Sequence, residues 1–167
     1  MKQSLILVKI DTEYCNYLRK YDDKVPYNYA EKEIRPFVGV LFKVNNFMYF
    51  APLSSPKPKH LKLKAKLDFL KIDGGKLGAI NFNNMLPVSE KNIVELNLDK
   101  ECKTKSEEKY LKLLREQIYW LNRNDKKLYD RSKKLYDKYK NGTLEKSIAN
   151  RCCNFVLLEE KCQEYNS

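Results

Sequence analysis

The chain has 167 residues, of which 43% are hydrophobic, and 33 lysines and arginines against 22 aspartates and glutamates give a net charge of +11. This composition excludes a disordered or collagen-like chain, and the length predicts a single domain spanning residues 1–167. Apolar runs such as residues 5–8 are far shorter than a membrane helix, and no signal-peptide pattern is present, so we expect a cytoplasmic protein without membrane contact.

The cysteines and the histidine give little basis for a metal site. The five cysteines form no C-x-x-C pair, and the chain has one histidine, His60. Structural zinc sites are built from several closely spaced thiolate or imidazole ligands. We therefore predict reduced cysteines that serve packing, no metal site and no cofactor.

Positive charge is concentrated in a segment without acidic residues. No aspartate or glutamate occurs in residues 34–67. The cations of this acid-free segment are Arg35, Lys43, Lys57, Lys59, Lys62, Lys64 and Lys66. A block of like charge favours a polyanionic partner such as RNA or DNA, and a solvated lysine loop is the alternative. The 12 tyrosines and 7 phenylalanines add candidates for stacking on bases.

The first part of the chain is predicted to be mainly β-strand. Short runs of β-branched and aromatic residues are separated by turn residues, which is typical of an antiparallel sheet. One helix is indicated by the helical spacing of Tyr14, Leu18 and Tyr21. The predicted elements are a strand at 3–10, a helix at 13–21, a loop at 22–34, and a hairpin of strands 36–44 and 47–53 that turns at Asn45 and Asn46.

A proline-punctuated basic loop is predicted at residues 54–60, directly after the hairpin. In residues 61–67 leucine or alanine alternates with lysine, which fits a strand, a basic helix or a flexible loop. Further strands are predicted at 69–72, 77–82, 85–88 and 93–98, with a turn at Gly74 and Gly75.

The last third of the chain is predicted to contain two long helices and one strand. Thr104 and Glu107 form a T-x-x-E capping box before the first helix, and Gly142 follows the second. The apolar run at 153–158 predicts a final strand before a polar tail. The fold class is therefore α+β, a mostly antiparallel, barrel-like sheet with appended helices.

One compact reactive segment stands out in a chain that lacks common enzyme motifs. No P-loop, dinucleotide-binding glycine motif, H-E-x-x-H or G-x-S-x-G is present. Ser54, Ser55, Pro56 and Lys57 follow the second hairpin strand within the acid-free segment. Hydroxyls beside a cation can hold a phosphate and stabilise negative charge on it, although a surface turn is the alternative.

Several blocks of the sequence resemble the ToxN/AbiQ family, the toxin endoribonucleases of type III toxin–antitoxin systems. Residues 50–57, Phe-Ala-Pro-Leu-Ser-Ser-Pro-Lys, resemble the family's central segment. The other blocks, in the family's order, are residues 21–26, 77–82 leading into 85–88, and 153–155 with 157–161. Together they span nearly the whole chain.

The resemblance implies a fold, an activity and a partner. The fold is similar to that of the MazF/PemK toxins, an SH3-like antiparallel barrel with added helices. The implied activity is metal-independent RNA cleavage, in which the 2′-hydroxyl is the nucleophile and a 2′,3′-cyclic phosphate is left. The implied partner is a small RNA antitoxin of tandem pseudoknot repeats, which the toxin processes and which holds it inactive in a closed ring. Release during phage infection then causes abortive infection.

The resemblance also assigns roles to individual residues. Ser55 matches the family's essential serine, Lys57 its neighbouring lysine, and Ser54 a position that is often threonine. Tyr14 matches a tyrosine that lines the active site.

The expected RNA-binding residues come from two sources. Lys24 and Arg35 match basic positions near the family's RNA groove. The acid-free segment adds Lys59, His60, Lys62 and Lys64.

The chemistry of these residues does not identify which of them would act as the general base. Lys57 can relieve charge on the phosphate, Ser55 can hydrogen-bond to it or to the 2′-hydroxyl, and Tyr14 could orient groups or stack on a base. Serine and an ordinary lysine are poor bases. His60 has a suitable intrinsic pKa, but an exposed histidine on a loop is more often incidental.

Two other functions compatible with the sequence remain. The chain could be a non-catalytic RNA-binding module that uses the same basic face, or a MazF-type toxin inhibited by a protein antitoxin. Cyclic-phosphate ends on RNA treated with the protein in EDTA would distinguish an enzyme from a binding module.

Overall fold

The computed structural model of the chain describes residues 4–30 and 33–167, so Gln3 of the first predicted strand and residues 31–32 of the predicted loop lie outside the described residues. The strands are β1 (Ile6–Ile10), β2 (Tyr29–Ala30), β3 (Glu33–Ile34), β4 (Phe37–Gly39), β5 (Lys43–Val44), β6 (Phe47–Ser54), β7 (Phe69–Lys71), β8 (Ala79–Asn81), β9 (Leu86–Val88) and β10 (Ile93–Glu95). The helices are α1 (Thr12–Arg19), α2 (Pro58–Lys62), α3 (Lys105–Arg123), α4 (Asp125–Asn141), α5 (Lys146–Ala149) and α6 (Phe155–Asn166).

Strand β6 organises an antiparallel sheet of eight strands. The sheet runs in the order β10-β1-β4-β6-β8-β7, and β5 and β9 also pair with β6. The first half of β6 pairs with β5 and β9, and its second half pairs with β4 and β8. The α+β prediction is confirmed, but the described strands form an open sheet rather than a closed barrel, because β10 and β7 end the sheet without pairing with each other.

Helices from the C-terminal third cover the sheet and complete the core. Helix α6 packs on β9 and on α1. The Glu159 carboxylate of α6 accepts a hydrogen bond from the Tyr49 hydroxyl of β6 and another, of 2.7 Å, from the Tyr136 hydroxyl of α4. A buried carboxylate is costly unless it is hydrogen-bonded. The two phenol hydroxyls therefore allow the Glu159 side chain to be buried between α6, α4 and β6. No described helix is both long enough and apolar enough to cross a bilayer.

Most of the predicted elements are confirmed. The strand at β1, the helix at α1 and the hairpin that leads into β6 lie where the sequence indicates them. Thr104 caps α3 by accepting a 3.1 Å hydrogen bond from the Glu107 amide. Glu107 itself accepts from the Lys103 amide at 3.0 Å, so only half of the expected capping box forms. Helix α4 ends at Gly142, whose φ of 70° is the left-handed conformation of a helix stop.

The predicted strand at 153–158 is wrong, because these residues begin helix α6. The Asn154 side chain caps the helix by accepting a 3.2 Å hydrogen bond from the Leu157 amide. Phe155, Leu158 and Cys162 are buried, and this spacing is helical. The apolar run is too short to show that period, which becomes visible only when the polar tail is included.

Two segments predicted to be loops contain regular structure. Residues 22–34 include the paired strands β2 and β3, and the 54–60 loop runs into α2, which begins at Pro58. Proline is favoured at the first position of a helix, where its missing amide donor is not needed. Beyond Lys62 the chain to residue 68 is irregular, apart from one bridge between Lys66 and Phe69.

Candidate active site

The Ser-Ser-Pro-Lys segment, residues 54–57, begins at the end of β6 in the centre of the sheet. On one side, Ser54 pairs with Ala79 of β8. On the other side, the Leu53 amide donates a 3.0 Å hydrogen bond to the Pro36 carbonyl, and continuing this register places the Arg35 backbone opposite Ser54. The sheet therefore brings together two predicted site residues, Arg35 and Ser54, that are far apart in the sequence.

The two serines differ in how they are held. The Ser54 hydroxyl is half-buried and accepts a 2.9 Å hydrogen bond from Asn81 Nδ2. The Ser55 side chain is exposed, and its hydroxyl has no hydrogen-bond partner within residues 4–30 and 33–167. Ser54 is thus fixed as part of the sheet, whereas the Ser55 hydroxyl is available to a ligand.

A glycine packs directly against the peptide that joins the serines. Gly78 has a φ of +99°, and a Cβ placed on it would lie 2.0 Å from the Ser54 carbonyl oxygen and 3.2 Å from the Ser55 carbonyl carbon. Because no side chain fits in that space, Gly78 allows the turn before β8 to support the serine segment closely.

His60 holds the backbone of Lys57 at the start of α2. Its Nδ1 accepts a 3.1 Å hydrogen bond from the Lys57 amide, and its own amide donates to the Lys57 carbonyl at 2.9 Å. The His60 side chain is only 2% exposed, so the expectation of an exposed loop histidine is wrong. A neutral imidazole that accepts at Nδ1 carries its proton on Nε2, which leaves no free acceptor for a general base. Its assignment to RNA binding stays a prediction, while its hydrogen bond supports a positioning role.

The environment of His60 favours the neutral ring. Burial lowers the pKa of His60 below its ordinary value, and the positive charges of Lys59 and Lys57 lower the pKa further. Since the unfolded chain keeps an ordinary histidine pKa of about 6.5, the stability that neutral His60 contributes is complete above that pH and is lost as the pH falls.

Exchanging His60 for glutamine is expected to weaken this pH dependence, since an amide oxygen can accept from the Lys57 amide without titrating. Urea unfolding of both proteins between about pH 5 and 7.5 measures the effect. The parent protein should lose more stability than His60→Gln toward the acid end. Equal losses in the two proteins would contradict the assigned role of His60.

A groove of about 450 Å³ opens beside Ser54 and His60, and we call it the serine groove. Its lining includes two predicted RNA-binding lysines, Lys59 and Lys64. Asp68, Asn81, Asn83, Asn84 and Arg151 also line it, and the sequence gives no signal for them.

One wall of the serine groove is fixed by an ion pair. Arg151 Nε and Nη2 donate to the two carboxylate oxygens of Asp68 at 2.9 and 3.0 Å. Asp68 is almost fully buried, so this bidentate pair compensates a carboxylate that would otherwise be costly. Arg131 of α4 supports the same wall by donating to the Lys66 carbonyl at 2.6 Å.

The cations near the serine groove differ in their environments. Arg35 is half-buried, and its Nε is buried without a hydrogen-bond partner in the part of the chain that the structure describes. Burial lowers the pKa of Arg35 from its ordinary value. A desolvated cation with an unpaired donor favours an anionic ligand. Lys24 is exposed, and its carbonyl accepts a 2.9 Å hydrogen bond from Asn84 Nδ2 of the groove. Lys62 is exposed on α2.

Tyr14 lies in the core rather than on an open surface. Its ring is fully buried against Tyr165, and its hydroxyl donates a 2.6 Å hydrogen bond to the Pro87 carbonyl. Burial raises the pKa of the Tyr14 hydroxyl far above its ordinary value. The interpretation of Tyr14 as a platform for a nucleobase is wrong for this conformation, because stacking needs an accessible face. A catalytic role stays a prediction from the resemblance alone.

Comparison with known proteins connects this site to a family. The model of the family "Toxin ToxN, type III toxin-antitoxin system" matches residues 6–163. The endoribonuclease ToxN of Bacillus thuringiensis subsp. kurstaki is 37% identical over 160 residues, which cover 93% of this chain and 81% of the relative. The endoribonuclease AbiQ of Lactococcus lactis subsp. lactis is 31% identical over 179 residues, which cover 99% and 92%. A solved type III toxin, studied for its selective inhibition by a non-coding RNA pseudoknot, has a TM-score of 0.83 and 34% identity over 99% of both chains.

The fold and these comparisons place the chain in the class of endoribonuclease toxins. The chain belongs to the ToxN family of type III toxin–antitoxin systems.

Proposed function

We propose that this endoribonuclease toxin cleaves RNA at residues 54–57, without a metal ion, by attack of the 2′-hydroxyl on the adjacent phosphate. The observation that carries the proposal is the exposed Ser55 hydroxyl directly after β6, two residues before Lys57 and next to Ser54, which lies opposite the backbone of Arg35. Metal independence is part of the proposal because the resemblance to the family implies it.

The residues supply charge stabilisation in this mechanism. The 2′-hydroxyl loses its proton as its oxygen bonds to phosphorus, the bond from phosphorus to the 5′-oxygen breaks, and the 5′-oxygen takes up a proton, which gives a 2′,3′-cyclic phosphate and a 5′-hydroxyl. Negative charge grows on the phosphoryl oxygens during the reaction. Ser55 donates a hydrogen bond to this phosphoryl group, while Lys57 and Arg35 lower its energy electrostatically. The Ser54 hydroxyl, held by Asn81, fixes the end of the strand.

A test of the reaction uses purified protein and a short RNA in EDTA, followed by identification of the new ends. Cyclic-phosphate and 5′-hydroxyl ends are the expected products. Intact RNA that shifts in a gel would favour the RNA-binding module, and 5′-phosphate ends would contradict attack by the 2′-hydroxyl.

The proposed inhibitor is a structured RNA, which the toxin also processes. A related solved toxin is described as inhibited by a non-coding RNA pseudoknot, and another as part of an antiviral system regulated by a processed non-coding RNA. The exposed cations Lys59, Lys62 and Lys64 give this chain a surface for such an RNA. Assembly into a closed ring with the RNA, and action against phage, complete the proposal. The family match favours an RNA antitoxin over a protein antitoxin.

Binding of the antitoxin RNA is expected to weaken steeply with salt, because each lysine that neutralises a phosphate releases counterions. Roughly four to six contacts, at about −0.7 each, give a log–log slope of about −3 to −4. Replacing Lys59 and Lys64 together by glutamine should make the slope shallower by about 1.4. Filter binding over a salt series measures the slope, with Lys112→Gln on the exposed face of α3 as control. A slope near zero would remove the acid-free segment from the binding surface.

A further inference from the structure

The loop at residues 22–28 borders the candidate active site at two points. The Lys24 carbonyl accepts from Asn84 Nδ2 of the serine groove at 2.9 Å. The Asn28 carbonyl accepts from the Arg35 amide at 2.7 Å, and Arg35 lies opposite Ser54. Tyr27 lies between these two attachments in the sequence, so its backbone is held close to the site.

Tyr27 presents a supported aromatic ring to solvent. Its side chain is 66% exposed, and the guanidinium carbon of Arg19 lies 3.9 Å from the centre of its ring. Arg19 is itself fixed, since its Nη1 donates to the Pro26 carbonyl at 2.9 Å and its Nη2 donates to Asn16 Oδ1. One face of the ring therefore rests on a held planar cation, while most of the side chain stays open.

We propose that Tyr27, supported by Arg19, is a stacking subsite for an unpaired nucleobase of the RNA bound at the serine groove. Every base offers a π-face, and an aromatic ring that needs no reorganisation binds it with little entropy cost. The cation beneath the ring and the exposed Lys24 nearby suit an anionic chain better than a neutral partner. This inference rests on the proposed function, because it takes residues 54–57 as the place of cleavage.

The subsite is distinguished from other exposed tyrosines by its position. Tyr119 on α3 is also 66% exposed and also lies near a cation, with the Arg123 guanidinium carbon 5.5 Å from its ring centre. Tyr119 belongs to helix α3 rather than to the loop that is hydrogen-bonded to Asn84 and Arg35, so it is a matched control for exposure and a nearby cation.

The test measures binding of a short single-stranded RNA and of copies that each carry one abasic nucleotide. The Ser55→Ala protein serves as the uncleaving background, and Tyr27→Ala, Tyr27→Phe and Tyr119→Ala are added to it one at a time. Tyr27→Ala should weaken binding of the intact RNA by roughly 5- to 100-fold. Removing the base at one position of the RNA should weaken binding to the background protein by a similar factor. The same abasic RNA should bind the Tyr27→Ala protein as tightly as the intact RNA does. Tyr27→Phe and Tyr119→Ala should bind the intact RNA and each abasic RNA as the background protein does.

The outcomes separate this subsite from the proposed function. If Tyr27→Ala binds every RNA as the background does, the stacking subsite is refuted while the active site stands. If Tyr27→Ala weakens all the RNAs equally, with no position losing its abasic penalty, Tyr27 acts without stacking on a base and the subsite is again refuted. Cleavage by Ser55→Ala would refute the placement of the active site, and the abasic profile would still decide whether Tyr27 contacts a base.

Discussion

Replacing Ser55 by alanine is expected to abolish detectable RNA cleavage while the fold and RNA binding stay close to those of the parent protein. The hydroxyl is exposed and makes no hydrogen bond within the described residues, so its loss removes no packing. A hydrogen bond that forms mainly in the transition state is worth about 10²–10³ in rate. Single-turnover cleavage beside filter binding measures the two effects separately.

Ser106→Ala is the control for this substitution, because Ser106 is also exposed but lies in the first turn of α3. It should cleave at the parental rate. Cleavage by Ser55→Ala at that same rate would show that the Ser55 hydroxyl takes no part in the reaction.

Two substitutions of Lys57 distinguish the effect of its charge from the effect of its geometry. Lys57→Ala should lose cleavage and also weaken RNA binding, because its charge stabilises the ground state and the transition state alike. Lys57→Arg keeps the charge, but its planar guanidinium presents donors in other directions. Restored binding without restored cleavage would indicate that the position of the ammonium group matters for the chemistry.

Gly78→Ala is expected to reduce cleavage by at least about 10²-fold, since it displaces the peptide between the two serines. The added Cβ would lie 2.0 Å from the Ser54 carbonyl oxygen. The turn cannot easily retreat, because Gln117 of α3 donates to the Leu77 carbonyl at 2.8 Å and the Gly78 carbonyl accepts from Ile72 at 2.9 Å. The serine segment must therefore move, and it carries the Ser55 hydroxyl with it.

Gly74→Ala is the matched control for Gly78→Ala. Gly74 has a φ of +66°, so alanine there carries a similar backbone strain, but a Cβ would meet nothing within 4 Å. Both variants should lose stability in urea unfolding, roughly 1–2 kcal/mol from the backbone strain alone, whereas only Gly78→Ala should lose cleavage beyond its loss of folded protein. Parental cleavage by folded Gly78→Ala would contradict the positioning role of this contact.

Local sequence patterns predict much of this fold, including the strand end that carries the candidate serines. Strand β6 and the serines at its end follow from an apolar run and a turn, which a short window reveals. The walls of the groove could not be predicted in this way. Arg35 reaches Ser54 through sheet register, and Asp68 meets Arg151 across 83 positions of sequence. Neither of these long-range contacts can be recognised from the spacing of residues in the sequence. The burial of His60 cannot be predicted for a similar reason, since it depends on chain segments that a loop pattern does not contain.

The ion pair between Asp68 and Arg151 also bears on the order in which the protein is made. When Ser55 and Lys57 are added to the growing chain, about two thirds of the sequence is still to be synthesised. Until Arg151 follows, Asp68 has no counterion from the C-terminal segment, and the groove wall that this pair fixes cannot form. A nascent chain that ends in α4 therefore carries the candidate catalytic residues without the ion pair that fixes the neighbouring groove wall. Completion of this groove wall therefore depends on the C-terminal segment, which is translated long after Ser55 and Lys57.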